Sequence, residues 1–118
     1  MKPLIHPAAG DITVEGILHA LCDPVRAELF ARLACAEMPQ TCSGVLGECG
    51  ASVPKSTLSQ HFKVLRDAGL IRSERKGVEM LNTSRIEEVE KRFPGLLPAI
   101  LAAHKAQARG AAARARRR

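Results

Sequence analysis

The sequence predicts a mainly helical domain closed by a small β-hairpin, on three observations. Residues 54–77 read PKSTLSQHFKVLRDAGLIRSERKG, in which Leu58, Phe62, Leu65 and Gly69 recur at i, i+4, i+7 and i+11, one face of a helix. Two short strands, Leu70 to Arg75 and Val78 to Thr83, follow at once around Lys76-Gly77. Upstream, Asp23-Pro24 opens a further helix: Asp caps, and Pro suits a first turn whose N–H has no partner anyway.

In chain order, residues 1–10 carry Pro3 and Pro7 and are expected to be a flexible N-terminus. Ile12, Ile17, Leu18 and Leu21 have helical spacing between Asp11 and Cys22. The helix from Pro24 to about Cys35 buries Val25, Leu29, Phe30 and Leu33. AEMPQ connects it to a short helix, about Thr41 to Cys49, weakened by two Gly. GASVP turns into the long helix, which a C′ glycine, Gly69, ends. In the hairpin, Ile71, Val78 and Met80 are the apolar positions. Ser84, with Glu87 three residues on, has the capping-box pattern and starts a helix to Phe93, stopped by Pro94-Gly95. A last helix carries Leu96, Leu97, Ile100 and Leu101. A helix-turn-helix followed by a β-hairpin is a winged helix, here predicted over residues 11–104.

Composition bounds the reading. The chain has 118 residues, 46% of them hydrophobic and 25% charged, one domain of globular make-up. Without Trp or Tyr, and with three Phe, its core must be aliphatic. No apolar run approaches the ~20 residues that cross a bilayer, and MKPLIHPAAGD lacks the apolar segment of a secretory signal. The expectation is a cytoplasmic protein whose four cysteines are reduced. The net charge of +6 is equalled by residues 105–118, KAQARGAAARARRR, which hold six bases and no acid. That tail is expected to be disordered, and either touches phosphate without specificity or is merely solvated. Residues 1–104 sum to zero, yet residues 54–76 carry +4 and residues 1–53 carry −3. A neutral domain with one basic segment is what an oriented phosphate-binding face requires.

The outward side of the long helix decides the chemistry. With Leu58, Phe62, Leu65 and Gly69 inward, Ser56, Gln60, Lys63 and Asp67 point out, flanked by Thr57 and Ser59. Lys55 stands at the helix N-terminus, the end that attracts phosphate. Short hydroxyls let a helix backbone approach a groove floor; Gln can pair with adenine, and Lys with guanine or phosphate. Arg72, Arg75 and Lys76 on the hairpin are placed to reach phosphates or a minor groove. The competing reading of this face, an ordinary solvated helix surface, is weakened by the basic hairpin that follows it.

LCDPVRAELFARL followed by this segment resembles the ArsR/SmtB-type winged-helix repressors over residues 15 to 83, two separated motifs agreeing in order and spacing. The resemblance implies a homodimer on a pseudo-palindromic operator of double-stranded DNA, repression, and release by an inducer. By position it implies Lys55, Ser56, Thr57, Ser59 and Gln60 as recognition-helix contacts and Arg75 and Lys76 as wing contacts. Gln60-His61 stands where many relatives have His first, and His61 is expected to pack at the edge of the buried face. The apolar first and last helices are expected to pair between subunits, setting two recognition helices one DNA turn, ~34 Å, apart; completing the monomer's own core is the alternative.

A sensor is harder to read. TCSGVLGEC lacks the Cys-x-Cys of the family's thiol sensors, and residues 84–104 offer only His104 toward its other metal site, which is rejected. Cys22 and Cys35 are expected to be packed. Cys42 is the better reactive candidate, near a helix N-terminus that would lower its pKa. Cys42 with Cys35 or Cys49 would suit a soft metalloid or metal ion as inducer; no other cofactor is expected. Enzyme activity is not expected, since neither a Cys-x-x-Cys nor a nucleophile with an evident His/Asp partner is present. The alternative function is a winged-helix architectural or protein-interaction module without a specific operator.

Overall fold

The computed structural model describes residues 4–46 and 53–117. A 3-10 turn, Ala9–Asp11, precedes helices α1 (Val14–Leu21), α2 (Pro24–Cys35), α3 (Cys42–Leu46) and α4 (Lys55–Asp67). Strands β1 (Ile71–Lys76) and β2 (Glu79–Ser84) then form the hairpin, and α5 (Ile86–Arg92) and α6 (Leu96–Arg116) close the chain. This is a mainly helical winged helix-turn-helix with a two-stranded antiparallel sheet, as the sequence predicts.

The core is aliphatic apart from Phe30 and Phe62. Leu29, Phe30 and Leu33 of α2, Leu58, Phe62 and Leu65 of α4, Leu70 and Ile71, Val89 and Leu97 are all buried together. Asp23 caps α2: its Oδ1 accepts from the amides of Val25 (2.8 Å) and Arg26 (3.2 Å). Burial pushes the Asp23 carboxyl up, but these amides outweigh it and hold its pKa below the usual value. Gly69 has φ +82°, the left-handed conformation that lets the chain turn from α4 into β1. An added Cβ there would lie 2.6 Å from Ile12 Cδ1, so the corner is also closed sterically.

Several expectations are corrected. Residues 4–10 are not loose: the Ser73 amide donates to His6 Nε2 (3.0 Å), Arg85 Nη1 donates to the Pro7 carbonyl (2.9 Å), and Arg92 Nη1 donates to the Ala9 (2.7 Å) and Ile12 carbonyls. Arg85 and Arg92 thus supply donors to carbonyls of this segment that neither the sheet nor an α-helix pairs. Helix α1 starts at Val14 because Thr13 caps it, its hydroxyl accepting from Gly16 N at 3.0 Å. The Ser84–Glu87 capping box does not form, since Ser84 is still paired with Ile71 in the sheet and Arg85 is the N-cap. Val78 is exposed: Lys76 pairs with Glu79, leaving Gly77 (φ +63°) and Val78 as the two-residue tip. Residues 105–116 are not disordered but continue α6, because Ala and Arg are strong helix formers and no Pro interrupts them. Cys22 and Cys35 are exposed rather than packed. Cys22 lies just past the last turn of α1, where its thiol donates to the His19 carbonyl. Residues 47–49 of the predicted 41–49 helix lie outside the described residues.

No helix among the described residues is long and apolar enough to cross a membrane.

Candidate nucleic-acid interface

Lys55, Ser56, Thr57, Ser59, Gln60 and Lys63 of α4 are all exposed, as are Arg72, Arg75 and Lys76 of the hairpin. The helix places them as its periodicity predicts, with Leu58, Phe62 and Leu65 buried beneath. His61 sits at the edge, half-buried, its Nδ1 3.4 Å from Arg26 Nη1. It joins α4 to α2 rather than facing outward.

The pleat divides the hairpin's cations. Ile71 and Ser73 face the core, and Arg75 shares their side. Arg75 therefore lines one cleft with Ser59, Gln60, Lys63 and Arg66 of α4. Arg72 is on the other face, where its Nη2 lies 3.7 Å from Glu88 Oε2. Glu88 is held below the ordinary carboxylate range, first by its hydrogen bond with Arg85 and then by the charges of Arg85 and Arg72. Lys63 is not wholly free either: its Nζ is 2.8 Å from Asp67 Oδ2. That exposed pair is worth little and leaves Lys63 able to turn to a phosphate.

Beneath the cleft is a buried polar network that sequence reasoning missed. Arg66 Nε donates to Ser73 Oγ (3.0 Å), and the Ser73 hydroxyl donates to Asn82 Oδ1 (2.7 Å). Asn82 Nδ2 donates to the Gln40 carbonyl (3.1 Å) and reaches Cys42 Sγ (3.6 Å). Asn82 and Gln40 also exchange backbone hydrogen bonds of 2.7 and 2.9 Å. Thus Asn82 and Ser73, paired across the hairpin, tie the wing to α4, to the connection before α3 and, through the Ser73 amide, to His6. The available signal was parity: Ser73 and Asn82 occupy core-facing positions where alternation calls for apolar side chains.

The same network corrects the reading of Cys42. Burial pushes its thiol pKa up, and the hydrogen bond from Asn82 offsets this only in part. The first residue of a five-residue helix lacks the dipole expected to activate it. Cys35 is exposed on the α2 face toward α6, and Cys49 lies outside the described residues. Among the described residues, no three His, Cys, Asp or Glu side chains cluster so as to hold a metal ion.

Helix, turn, exposed second helix and hairpin define the winged helix-turn-helix class. Residues 21–74 match the family model described as a helix-turn-helix domain, a span running from the end of α1 into β1. A solved structure described as an ArsR-like transcriptional regulator from Rhodococcus sp. RHA1 has the same fold, with a TM-score of 0.55 and 21% identity over 87% of this chain and 89% of that one. No curated protein is similar enough in sequence to match. The family model thus accounts for the helix-turn-helix, and the solved structure shares the winged fold as a whole.

Proposed function

We propose that this protein is a sequence-specific repressor that binds a pseudo-palindromic operator as a homodimer and is released by an inducer. One observation carries the reading: Gln60 and Lys63 of α4 and Arg75 of the wing line a single open cleft, with Lys55, Ser56 and Ser59 exposed on the same helix. Helix side chains would read base edges while Arg75 and Lys76 hold phosphates beside them. Arg72, paired with Glu88, has the weakest claim among the nine candidate contacts.

Dimerisation through α1 and α6 is supported by what these helices leave uncovered. Leu18 of α1 is half exposed, and Leu96, Ile100 and Leu101 of α6 are only partly buried. A groove of about 220 Å³ between α6 and the α1–α2 corner is lined by Leu21, Cys22, Pro24, Ala27, Ile100 and Ala103. A second copy covering this surface would pair the two helices and set two recognition helices on one face.

The inducer belongs to the proposal through the family resemblance. A soft metalloid would draw on Cys42 with Cys35 or Cys49, each thiol binding with loss of its proton. Replacement of all four cysteines by Ser tests this part separately: unchanged DNA binding and release would end it.

The main test is fluorescence anisotropy of the full chain with a duplex from its own upstream region against a scrambled duplex at physiological salt. Preference for the native duplex, reduced on Gln60→Ala by the ~10-fold or more that one bidentate base contact supplies, is expected. Equal binding to both duplexes, unaltered by Gln60→Ala, would contradict sequence reading by α4 on that duplex.

A further inference from the structure

One strongly charged surface lies outside the cleft formed by α4 and the wing. Helix α6 runs to Arg116, and every described residue from Lys105 on is exposed. Lys105, Arg109, Arg114, Arg116 and Arg117 form no ion pair among the described residues, and the sequence has no acid after Glu90. At about 100° per residue, Lys105, Arg109 and Arg116 fall within ~40° of one another, one stripe along the ~18 Å of helix from 105 to 116. The remaining side chains from 106 to 115, Arg109 and Arg114 apart, are Ala, Gly and a single Gln. They are too small to hold a flat polyanion away.

The fold gives these cations no ion pair among the described residues. Arg114 and Arg116 in the last turn gain from the helix dipole, but Lys105 and Arg109 are too far from the end to share that gain and repel each other at i, i+4. Nor does the arm lie beside the reading face. Arg26 and Glu28 of α2, two residues apart, point about 200° from each other. Arg26 touches His61 of α4, while Glu28 accepts from His104 of α6 at 3.2 Å. So α6 packs on the side of α2 opposite to α4, and the outward face of α4 points farther away still.

We propose that the exposed end of α6 is a second, sequence-independent binding surface for the phosphates of duplex DNA. It lies behind the domain, so that one molecule can hold a second DNA segment while α4 occupies the first. Charge complementarity with small intervening side chains fits a duplex backbone. Single strands would call for aromatic stacking, and residue 93 is the last aromatic position. Insertion into a lipid surface would call for large apolar side chains, and none occurs from 105 to 117. The proposal does not depend on sequence reading by α4.

The test uses the full chain and a variant combining Lys105→Gln, Arg109→Gln, Arg114→Gln and Arg116→Gln, which keeps good helix formers throughout. A second variant changes the three Arg to Lys, keeping the charge. Binding to a random-sequence duplex is followed against salt, and a bead-tethered duplex is tested for capture of a second, labelled duplex. Three to four lost phosphate contacts should flatten the slope of log K against log salt by about 3 and abolish capture, while the Lys variant behaves as the wild type. Sequence preference on the native upstream duplex, with its Gln60 dependence, should survive in the Gln variant, so the two readings fail separately. An unchanged slope and unchanged capture in the Gln variant would overturn the proposal. So would a charge-dependent gain confined to vesicles of phosphatidylserine and phosphatidylcholine, which would make the arm a membrane contact.

Discussion

Gly69 joins the recognition helix to the wing, and replacing it by Ala separates two costs. The first is conformational: at φ +82° a Cβ meets the following carbonyl, at about 1–2 kcal/mol. The second is steric: the new methyl would lie 2.6 Å from Ile12 Cδ1 and closer still to Cγ1, with Pro7 Cγ at 3.3 Å. Ile12 is buried, so it has no open space into which to move, and overpacking of this kind costs about 1–3 kcal/mol. Ala also restricts the unfolded chain, which returns roughly 0.4–1 kcal/mol. The net loss is about 1.5–4 kcal/mol. Gly95 is the internal control: φ is +84° there, but nothing lies within 4 Å of an added Cβ, so Gly95→Ala carries the conformational cost alone. With an unfolding entropy of about 2.1 cal/mol/K per residue, each kcal/mol moves Tm by ~4 °C in a chain of this size. Thermal unfolding followed by circular dichroism should therefore place Gly69→Ala some 4–12 °C below Gly95→Ala. Equal Tm values would refute the reasoning, since they would mean that Ile12 does not close the corner.

Other expected outcomes follow from single groups. Asp23→Ala removes the acceptor of two α2 amides and should cost about 1 kcal/mol, read as a ~4 °C fall in Tm. Asn82→Ala leaves the Ser73 hydroxyl without its buried acceptor and should cost about 1–3 kcal/mol, measured by urea unfolding. His6 is held below its usual pKa by burial and by the charges of Arg72, Arg66 and Arg85; the unfolded chain therefore takes up the proton first, and stability is full above about pH 6.5 and declines as pH falls below it. His6→Gln, whose side-chain oxygen accepts from the Ser73 amide without titrating, should flatten that part of the Tm–pH curve; an unchanged curve would show that His6 does not set it.

The sequence made the scaffold legible because its signals were periodic and redundant. Asp23-Pro24, the Leu58–Phe62–Leu65 face and Gly69 each state a local preference that tertiary packing also satisfies, and so helix α2 begins and α4 ends where expected. Four misreadings share a different cause. His6, Thr13, Cys22 and Cys35 are placed by neighbours distant in sequence or by helix ends, neither of which alternation registers. The Ser84–Glu87 pattern was a sound local cap that lost to a strand still being paired. The Ala/Arg run was read by its charge, while its backbone followed its helix propensity.

The polar network shows why the candidate site was only half legible. Its outward residues obey helical phase and could be read from α4 alone. Their position relative to Arg75 depends on Ser73 and Asn82, two buried polar residues that apolar packing could replace with little loss of burial. Hydrogen bonds have direction where apolar contacts do not, so the Arg66–Ser73–Asn82–Gln40 chain fixes the angle of the wing on α4 as well as its distance. That angle decides whether Gln60 and Arg75 reach the same stretch of duplex. An apolar pair at Ser73 and Asn82, such as Ala with Leu, should therefore weaken sequence preference in the anisotropy assay even where it leaves Tm within a few degrees of the wild type, because both polar partners are removed together. Loss of stability in step with preference would instead make the network a structural prop without a separate part in orienting the wing.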